Sequence, residues 1–178
     1  NCVSDPGVGP DNTVNGSGLN ENDEHTTKSA DMWLAAPGDE PLQLQYEFDR
    51  VYKLHEMRVW NYNVQFELML GFGLKDVTVE YSQNGADWTV LGDVVFAQAT
   101  ARDDYTSNTA VDFGGAAVRF VRLTVNSGHG PIGKFGLSEV RLLFIPAHAR
   151  EPQPDDGQTD VPVGTNLSWR VGREAVTH

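Results

Sequence analysis

The stretch LKDVTVEYSQNGADW, residues 74 to 88, carries the clearest structural signal in the chain. Apolar and polar residues alternate from Asp76 to Tyr81, which is the period-two pattern of a strand with one buried face. The Asn-Gly pair that follows is typical of a tight turn between antiparallel strands. The segment therefore predicts a β-hairpin, whose second strand is WTVLGDVVFA (88–97).

Other segments on both sides of this hairpin also have the composition of strands. They are LQLQYEF (42–48), KLHEMRVWNY (53–62), TAVDF (109–113), RFVRLTVN (119–126) and EVRLLFI (139–145). Turn residues separate them, and no segment has the 3.6-residue periodicity of a convincing amphipathic helix. The sequence thus predicts an all-β protein, built as an antiparallel sandwich.

Composition narrows the classes of partner. The chain has 178 residues, 25 acidic and 13 basic, for a net charge of −12. Nucleic acids and anionic membranes are bound by clustered Lys and Arg, so this balance argues against both and is compatible with cation binding. The sequence contains no apolar run long enough to span a bilayer. Its single cysteine, Cys2, has no partner for a disulfide within the chain.

Catalytic motifs give little support for an enzyme. The five histidines lack zinc-binding spacing, and no Ser-His-Asp signature can be argued. GHGPIG (128–133) matches the glycine pattern of a dinucleotide site, but a proline lies inside it and a strand follows in place of the required helix. The sequence therefore predicts a non-catalytic domain.

Five pieces in a fixed order carry a family resemblance over about residues 12 to 146. They are TVNGSG (13–18) with a delayed Trp33, LQYEFDRVYKLHEMRVWNYN (44–63), GLKDVTVEYSQNGADWTVLG (73–92), RFVRLTVNS (119–127) and GLSEVRLLF (136–144). Together they resemble the coagulation-factor type C, or discoidin, domain and the related family 32 carbohydrate-binding modules. The resemblance implies a galactose-binding-like jelly roll of about eight strands, and a lectin-like or adhesive role.

The resemblance also implies a structural calcium ion that joins an early loop to the start of the last strand. Glu139 matches the family's glutamate ligand, and Asn15 stands where the family often has aspartate. The implied ligand set is Asn12, Asn15, Ser17, Ser138 and Glu139, with Asp23 added from the longer stretch before Trp33. Calcium accepts six to eight oxygen ligands, including carbonyls. The alternative for Glu139 is an ion pair with Arg122 or Arg141.

The family's ligand-binding loops suggest a carbohydrate site at one end of the sandwich. Sugars are bound by aromatic stacking together with polar groups for the hydroxyls. The candidate sugar contacts are His25, Tyr62, Asn63, Glu67, His129, Lys134 and Phe135. The alternative is that several aromatic residues belong to the core, and Trp33, Trp60 and Trp88 are assigned mainly to packing. A second hypothesis is an adhesion, protein-interaction or lipid-interaction domain whose apolar spikes come from Phe66, Leu68, Met69 and Leu70.

The flanks suggest a multidomain parent. Residues 1–11 are rich in Gly, Pro, Asp and Asn and predict a linker, followed by the discoidin-like sandwich over 12–146. Residues 147–164 are rich in proline and acids and predict a second linker, and 165–178 resemble the truncated start of another β domain. We therefore expect a carbohydrate-binding module of a secreted or cell-surface multidomain protein.

Overall fold

The computed structural model describes residues 3–4, 7–146, 150–155 and 157–170, and within them the chain is almost entirely β. The strands are β1 (Val3–Ser4), β2 (Trp33–Ala36), β3 (Gln43–Asn61), β4 (Asp76–Ser82), β5 (Thr89–Val95), β6 (Thr109–Val125), β7 (Phe135–Phe144), β8 (Arg150–Gln153) and β9 (Ser168–Arg170). One helical turn, α1 (Glu67–Leu70), and 3₁₀ turns at Pro10–Thr13 and Ser29–Asp31 complete the elements.

Seven strands form one antiparallel sheet in the order β1-β2-β7-β3-β6-β4-β5. The sheet is folded into two layers because β3 and β6 are long and irregular. The pairing of β3 with β6 shifts register between Glu47 and Tyr52, and β6 contains Gly114 and Gly115 at φ values of 59° and 81°. Such positive φ values are accessible to glycine without steric cost. The first half of β3 therefore lies beside the second half of β6, while its second half pairs with β7.

This arrangement confirms the predicted all-β antiparallel sandwich and corrects its strand boundaries. The segments expected as separate strands at 42–48 and 53–62 form the single strand β3, and those at 109–113 and 119–126 form β6. β7 begins at Phe135, four residues before the predicted start. The sequence did not predict α1, which is only four residues long and too short to show helical periodicity.

The core lies between the two layers. Alternate residues of β4, Val77 and Val79, are fully buried in it, as the period-two pattern requires. Trp33 also packs in this core, whereas Trp60 is buried in a smaller cluster beneath the loops with Ala99 and Tyr105, and packing roles are confirmed for both tryptophans. Burial of a large apolar side chain stabilises the fold by about 1.5–3 kcal/mol.

The flanking segments contain structure that their composition did not predict. β1 pairs with β2, so part of the expected N-terminal linker extends the sheet. β8 and β9 pair in a small sheet of their own, which joins part of the expected second linker to the last predicted segment. Cys2 and residues 171–178 lie outside the described residues. No helix in the described part of the chain is long and apolar enough to cross a membrane.

Candidate functional site

Four loops meet at the end of the sandwich where β3 ends and β7 begins. They are the segments 13–32, 62–75, 96–108 and 126–134. Single β-bridges join them in pairs: His25 with Tyr105 connects the first to the third, and Leu74 with Gly128 connects the second to the fourth. The family resemblance placed the candidate sugar contacts in the first, second and fourth of these loops, and the 96–108 loop was not predicted as part of the group.

Asn63 holds three loop carbonyl groups with one side chain. Its Nδ2 donates to the carbonyl oxygens of Arg102 at 2.7 Å, His25 at 3.0 Å and Thr26 at 3.2 Å. The side chain is fully buried, and the backbone N–H of Asn63 donates to Ser138 Oγ at 3.1 Å. The prediction that Asn63 contacts a sugar is therefore replaced by a structural role, because buried carbonyl groups in irregular loops need donors.

Asn61, which the sequence analysis did not select, has a similar role. Its Nδ2 donates to the carbonyl oxygens of Leu74 at 2.7 Å and Ala97 at 2.9 Å. Its Oδ1 accepts the N–H groups of Tyr62 and Leu74, both at 2.9 Å. The signal available in the sequence was the repeated asparagine in WNYN, but only the fold shows that both asparagines point inward.

Glu67 is the third member of this buried polar layer, which we define as Asn61, Asn63, Glu67 and His25. Glu67 is fully buried, and its Oε1 and Oε2 accept the N–H groups of Gly73 at 2.9 Å and Phe72 at 3.1 Å. Burial raises the pKa of this carboxyl, and the two N–H groups offset part of the rise. Glu67 therefore fixes the 62–75 loop, and its predicted contact with a sugar is not supported.

His25 is also fully buried. Its Nδ1 lies 2.8 Å from the carbonyl oxygen of Thr26, so Nδ1 carries the proton, while Nε2 has no hydrogen-bond partner among the described residues. Burial lowers the pKa of the imidazole, which favours the neutral ring. A Cβ atom at Gly18 would lie 2.7 Å from the ring, so the 13–32 loop packs directly on it. Its position does not support the predicted sugar contact.

Tyr62 is a core residue. The ring is 2% exposed and lies 6.1 Å from the ring of Phe72, and a Cβ atom at Gly136 would approach it to 2.4 Å. No sugar can reach this ring without opening the core. The aromatic side chain that is exposed in the same loop is Phe66.

The apolar tip consists of Phe66, Leu68, Met69 and Ile132, which are 63%, 65%, 82% and 56% exposed. The first three belong to α1 and its N-terminal cap, and Ile132 lies in the 126–134 loop. These two loops are in direct contact, because the N–H of Gly130 donates to the carbonyl oxygen of Gly71 at 2.7 Å. A Cβ atom at Gly130 would lie 2.4 Å from the Leu70 carbonyl oxygen, so this close approach requires glycine.

Phe66 adopts a strained backbone conformation. It precedes α1 in the left-handed region, at φ 74° and ψ 13°, and its carbonyl oxygen accepts the N–H groups of Met69 and Leu70 at 2.8 and 3.0 Å. A bulky residue rarely occupies this region, and such strain is concentrated at functional sites. The structure therefore singles out Phe66, which the sequence analysis considered only as an apolar spike.

His129, Lys134 and Phe135 are half-buried beside the tip, in the segment that leads into β7. His129 Nε2 lies 2.9 Å from the carbonyl oxygen of Phe96, so one ring nitrogen is used by the protein. Phe135 packs against the main core, and a Cβ atom at Gly128 would lie 3.1 Å from its ring. Contacts of these three residues with a sugar remain predictions, and the half-buried positions leave part of each side chain accessible.

The environment of Glu139 is that of a buried and poorly compensated carboxylate, as the implied cation site requires. The residue is 2% exposed, and Oε2 accepts the N–H of Gly16 at 3.2 Å. Burial raises the pKa of the carboxyl to about 7, which the Gly16 N–H and the nearby charge of Arg141 offset only in part. A buried carboxylate in this condition fits a cation. Neither predicted ion pair forms among the described residues, since Arg122 binds Glu80 at 2.8 Å and Arg141 binds Asp23 at 2.6 Å.

The other residues that the resemblance implies as calcium ligands differ in how well their positions suit the ion. Asn15 borders the same groove as Glu139, although its Oδ1 accepts the N–H of Ser17 at 2.7 Å. Asn12 lies next to it, and its Oδ1 accepts from Asn15 Nδ2 at 3.3 Å. The described residues contain no group of three or more His, Cys, Asp or Glu side chains suited to a metal, so carbonyl and amide oxygens would supply the other ligands.

The side chain and the backbone carbonyl of Asp23 both form contacts within the protein. Its carboxylate forms the ion pair with Arg141, and its backbone carbonyl accepts the indole N–H of Trp60 at 2.9 Å. The Arg141 guanidinium also lies 5.4 Å from the centre of the Trp60 ring. Asp23 thus fastens the 13–32 loop to β7, and the structure does not support its assignment as a cation ligand. Ser138 is buried, with its Oγ used by Asn63.

Comparison with known families agrees with this architecture. A family model described as F5/8 type C domain matches residues 3–138, which is more than half of the chain. The chain belongs to the F5/8 type C domain family. No curated protein sequence matches this F5/8 type C domain.

Solved structures similar to this F5/8 type C domain include carbohydrate-binding modules. One is a family 32 module of a family 31 glycoside hydrolase bound to GalNAc, with a TM-score of 0.56, 15% identity, and coverage of 78% of this chain and 89% of that one. Another is a family 32 module of a family 31 glycoside hydrolase from Clostridium perfringens, with a TM-score of 0.56, 10% identity, and coverage of 78% and 87%. A third is a fucose-binding module from Streptococcus pneumoniae, with a TM-score of 0.51, 14% identity, and coverage of 79% and 86%. At these identities the likeness establishes the fold.

Proposed function

We propose that this domain is a non-catalytic carbohydrate-binding module of a secreted or cell-surface multidomain protein. It recognises a sugar through the loop end of the sandwich. The observation that carries the proposal is the apolar tip, which presents strained and exposed Phe66 on loops that the buried polar layer makes rigid. The similarity to carbohydrate-binding modules supports the same function.

The chemistry of the tip suits a shallow sugar site. The C–H face of a sugar ring stacks on an aromatic side chain, and Phe66 offers the exposed ring. The hydroxyl groups need polar partners, for which half-buried His129 and Lys134 on the neighbouring loop are the candidates. Because side-chain hydrogen bonds already order the loops, binding loses little conformational entropy. Affinity for one sugar is expected to be low and to increase when several modules act together.

The proposal includes a structural calcium ion at Glu139. Its carboxylate would hold the ion against oxygen atoms of the 12–17 segment, with Asn15 as the side-chain candidate from that segment. The buried and poorly compensated charge of Glu139 supports this assignment. The ion would attach the first loop to β7, and its role would be stability and not direct contact with the sugar.

A specific observation favours a second candidate, a protein-interaction or lipid-interaction domain. Leu68 and Met69 are more exposed than Phe66 and extend the apolar surface beyond one aromatic ring. Exposed apolar patches mark interaction sites. The net charge of −12 disfavours an anionic membrane, so a protein surface or a neutral lipid surface would be the partner.

A glycan array probed with the whole 178-residue chain tests the first proposal. We expect binding to a defined set of glycans that Phe66→Ala reduces at least tenfold, while Val90→Ala, on exposed strand β5, leaves it unchanged. A repeat with EDTA shows whether glycan binding depends on calcium. Absence of binding to every glycan, together with flotation on neutral vesicles or capture by a protein surface through Phe66, would replace this proposal with the second candidate.

A further inference from the structure

The first half of β3 is an open sheet edge. β3 pairs with β6 from Gln43 onward, but it pairs with β7 only from Leu54. Among the described residues, the segment Gln43–Phe48 therefore has a hydrogen-bonded neighbour on one side only. Such an edge presents unpaired N–H and C=O groups and is a template for an added strand.

The register shows which backbone groups point to the open side. The N–H of Val125 donates to the carbonyl oxygen of Leu42 at 2.9 Å, and these residues are opposite each other in the β3–β6 register. Alternate residues of an antiparallel strand bond to the same neighbour. The backbone groups of Leu44 and Tyr46 therefore bond toward β6. The backbone groups of the residues that alternate with them, Gln43, Gln45 and Glu47, point away. All three are exposed, and no backbone hydrogen bond to them joins the edge to another described segment.

A groove runs along this edge. It is lined by the whole Gln43–Phe48 segment, by Pro10 and Asp11 of the first 3₁₀ turn, by Val14, and by Leu142 of β7. Its volume is about 510 Å³. Val14 is 51% exposed, so the groove has an apolar wall that solvent reaches. Because the 3₁₀ turn stands beside the edge, a single extended strand fits this groove better than the edge of a second folded sheet.

The charge of the groove indicates which kind of peptide strand it can bind. Glu47 and Asp11 border the groove, and the only salt bridge that either forms within the described residues is that of Glu47 with Arg119 at 3.0 Å. Asp11 thus offers an uncompensated charge, and the whole chain is strongly acidic. We propose that the groove binds an extended peptide with alternating apolar and basic residues, which adds to β3 as an edge strand. This site is separate from the apolar tip and does not depend on the proposed sugar binding.

Fluorescence anisotropy with a labelled heptapeptide of alternating Lys and Val, capped at both ends, tests the proposal on the whole chain. We expect saturable binding that weakens at least tenfold in Gln45→Pro. Proline removes an N–H that faces the open side and leaves the bonds to β6 intact, and prolines are tolerated at such positions. Gln45→Thr, which keeps the N–H, is the matched control and should bind as the wild type does.

Two further peptides distinguish strand addition from simple electrostatic attraction. Because they are tested on the wild-type chain, they also exclude misfolding of the Gln45→Pro variant as the reason for weaker binding. One is N-methylated at every Val and the other at every Lys. Both keep the charge of the parent peptide, but each lacks the backbone N–H groups along one edge of the strand. We expect one of them to lose at least tenfold in affinity for the wild-type chain and the other to bind normally. Equal binding of all three peptides, or no saturation, would overturn the proposal. So would a chain that is dimeric in solution and becomes monomeric in Gln45→Pro, because a second copy would then occupy the edge.

Discussion

Two adjacent parts of one loop region have opposite polarity. Polar Asn61 and Asn63 are fully buried, whereas apolar Phe66, Leu68 and Met69 a few residues later are exposed. This reverses the usual distribution of polar and apolar residues between surface and interior. Under the proposed function, the two parts have different tasks, one internal and one directed to the outside.

The internal task follows from the backbone. Loops lack sheet partners, so their buried carbonyl groups must be satisfied by side chains or water. Asn63 satisfies carbonyls from the 13–32 and 96–108 loops, and Asn61 does the same for Leu74 and Ala97. The apolar residues of the tip satisfy no such need, and under the proposed function their exposure leaves them free to contact an external partner.

The largest effect is expected from Asn63→Ala. It removes the donor from the carbonyl oxygens of Arg102 and His25 and one of two donors from that of Thr26, and we expect a loss of about 3 kcal/mol in the free energy of unfolding. For a chain of this size that corresponds to a fall in Tm of about 6–12 °C. Urea denaturation measures the loss. Met69→Ala, on the exposed part, is the control and should change stability by less than about 0.5 kcal/mol. Equal losses in both variants would contradict the division of tasks.

The stability of the chain is expected to depend on pH through Glu139, the buried carboxyl group of β7 that contacts the 13–32 loop. The pKa of Glu139 is raised to about 7 by burial, so the folded chain binds its proton more tightly than the unfolded chain does. Its contribution to stability is therefore present below about pH 4.5 and is lost as pH rises through 7. In EDTA we expect a loss of order 3 kcal/mol over this window, and calcium should remove it. Thermal melts at pH 5 and pH 8 measure the effect.

The matched variant is Glu139→Gln. In EDTA its Tm should not show the fall between pH 5 and 8, and calcium should stabilise it much less than the wild type. A wild-type chain whose Tm is unaffected by calcium at pH 8 would exclude the structural ion, because a ligand of the native state raises Tm by mass action.

The smallest effect on stability, with the opposite sign, is expected from Phe66→Gly. Glycine accepts the left-handed backbone conformation, so we expect a gain of about 1 kcal/mol in the free energy of unfolding. Loss of the aromatic ring should at the same time weaken sugar binding at least tenfold. Differential scanning calorimetry and isothermal titration of the same preparation measure both changes. A variant that is less stable than the wild type would show that Phe66 packs as a core residue.

The hairpin of β4 and β5 could be predicted from local sequence because its determinants are local. Alternating residues give the strand, and within SQNGADW the side chains of Ser82 and Asn84 accept the N–H groups of Gly85 and Asp87. The continuity of β3 could not be predicted in this way. Asp49 and Arg50 resemble a break between strands, and the pairing with β6 absorbs them as an irregularity.

The sequence indicated which loops lie close together, but not which of their side chains face outward. The family resemblance indicated that the loops after β3 and after β6 lie near the loop around His25, and the structure brings these three together. It could not indicate which polar loop residues turn inward, because this depends on contacts across long stretches of sequence, such as Asn63 with Arg102. Exposure of Phe66 depends in turn on α1, whose single turn leaves no periodic signal.

In the proposed division of roles, the exposed apolar tip binds the sugar and the buried polar layer only supports it. Amide NMR spectra of the labelled 178-residue chain, titrated with the glycan that binds best on the array, test this most directly. This division predicts shifts concentrated at residues 64–72 and 128–135, with little change in the 82–89 turn at the far end. Saturable shifts confined to the 82–89 turn or to Gln43–Phe48, with the tip unchanged, would contradict it.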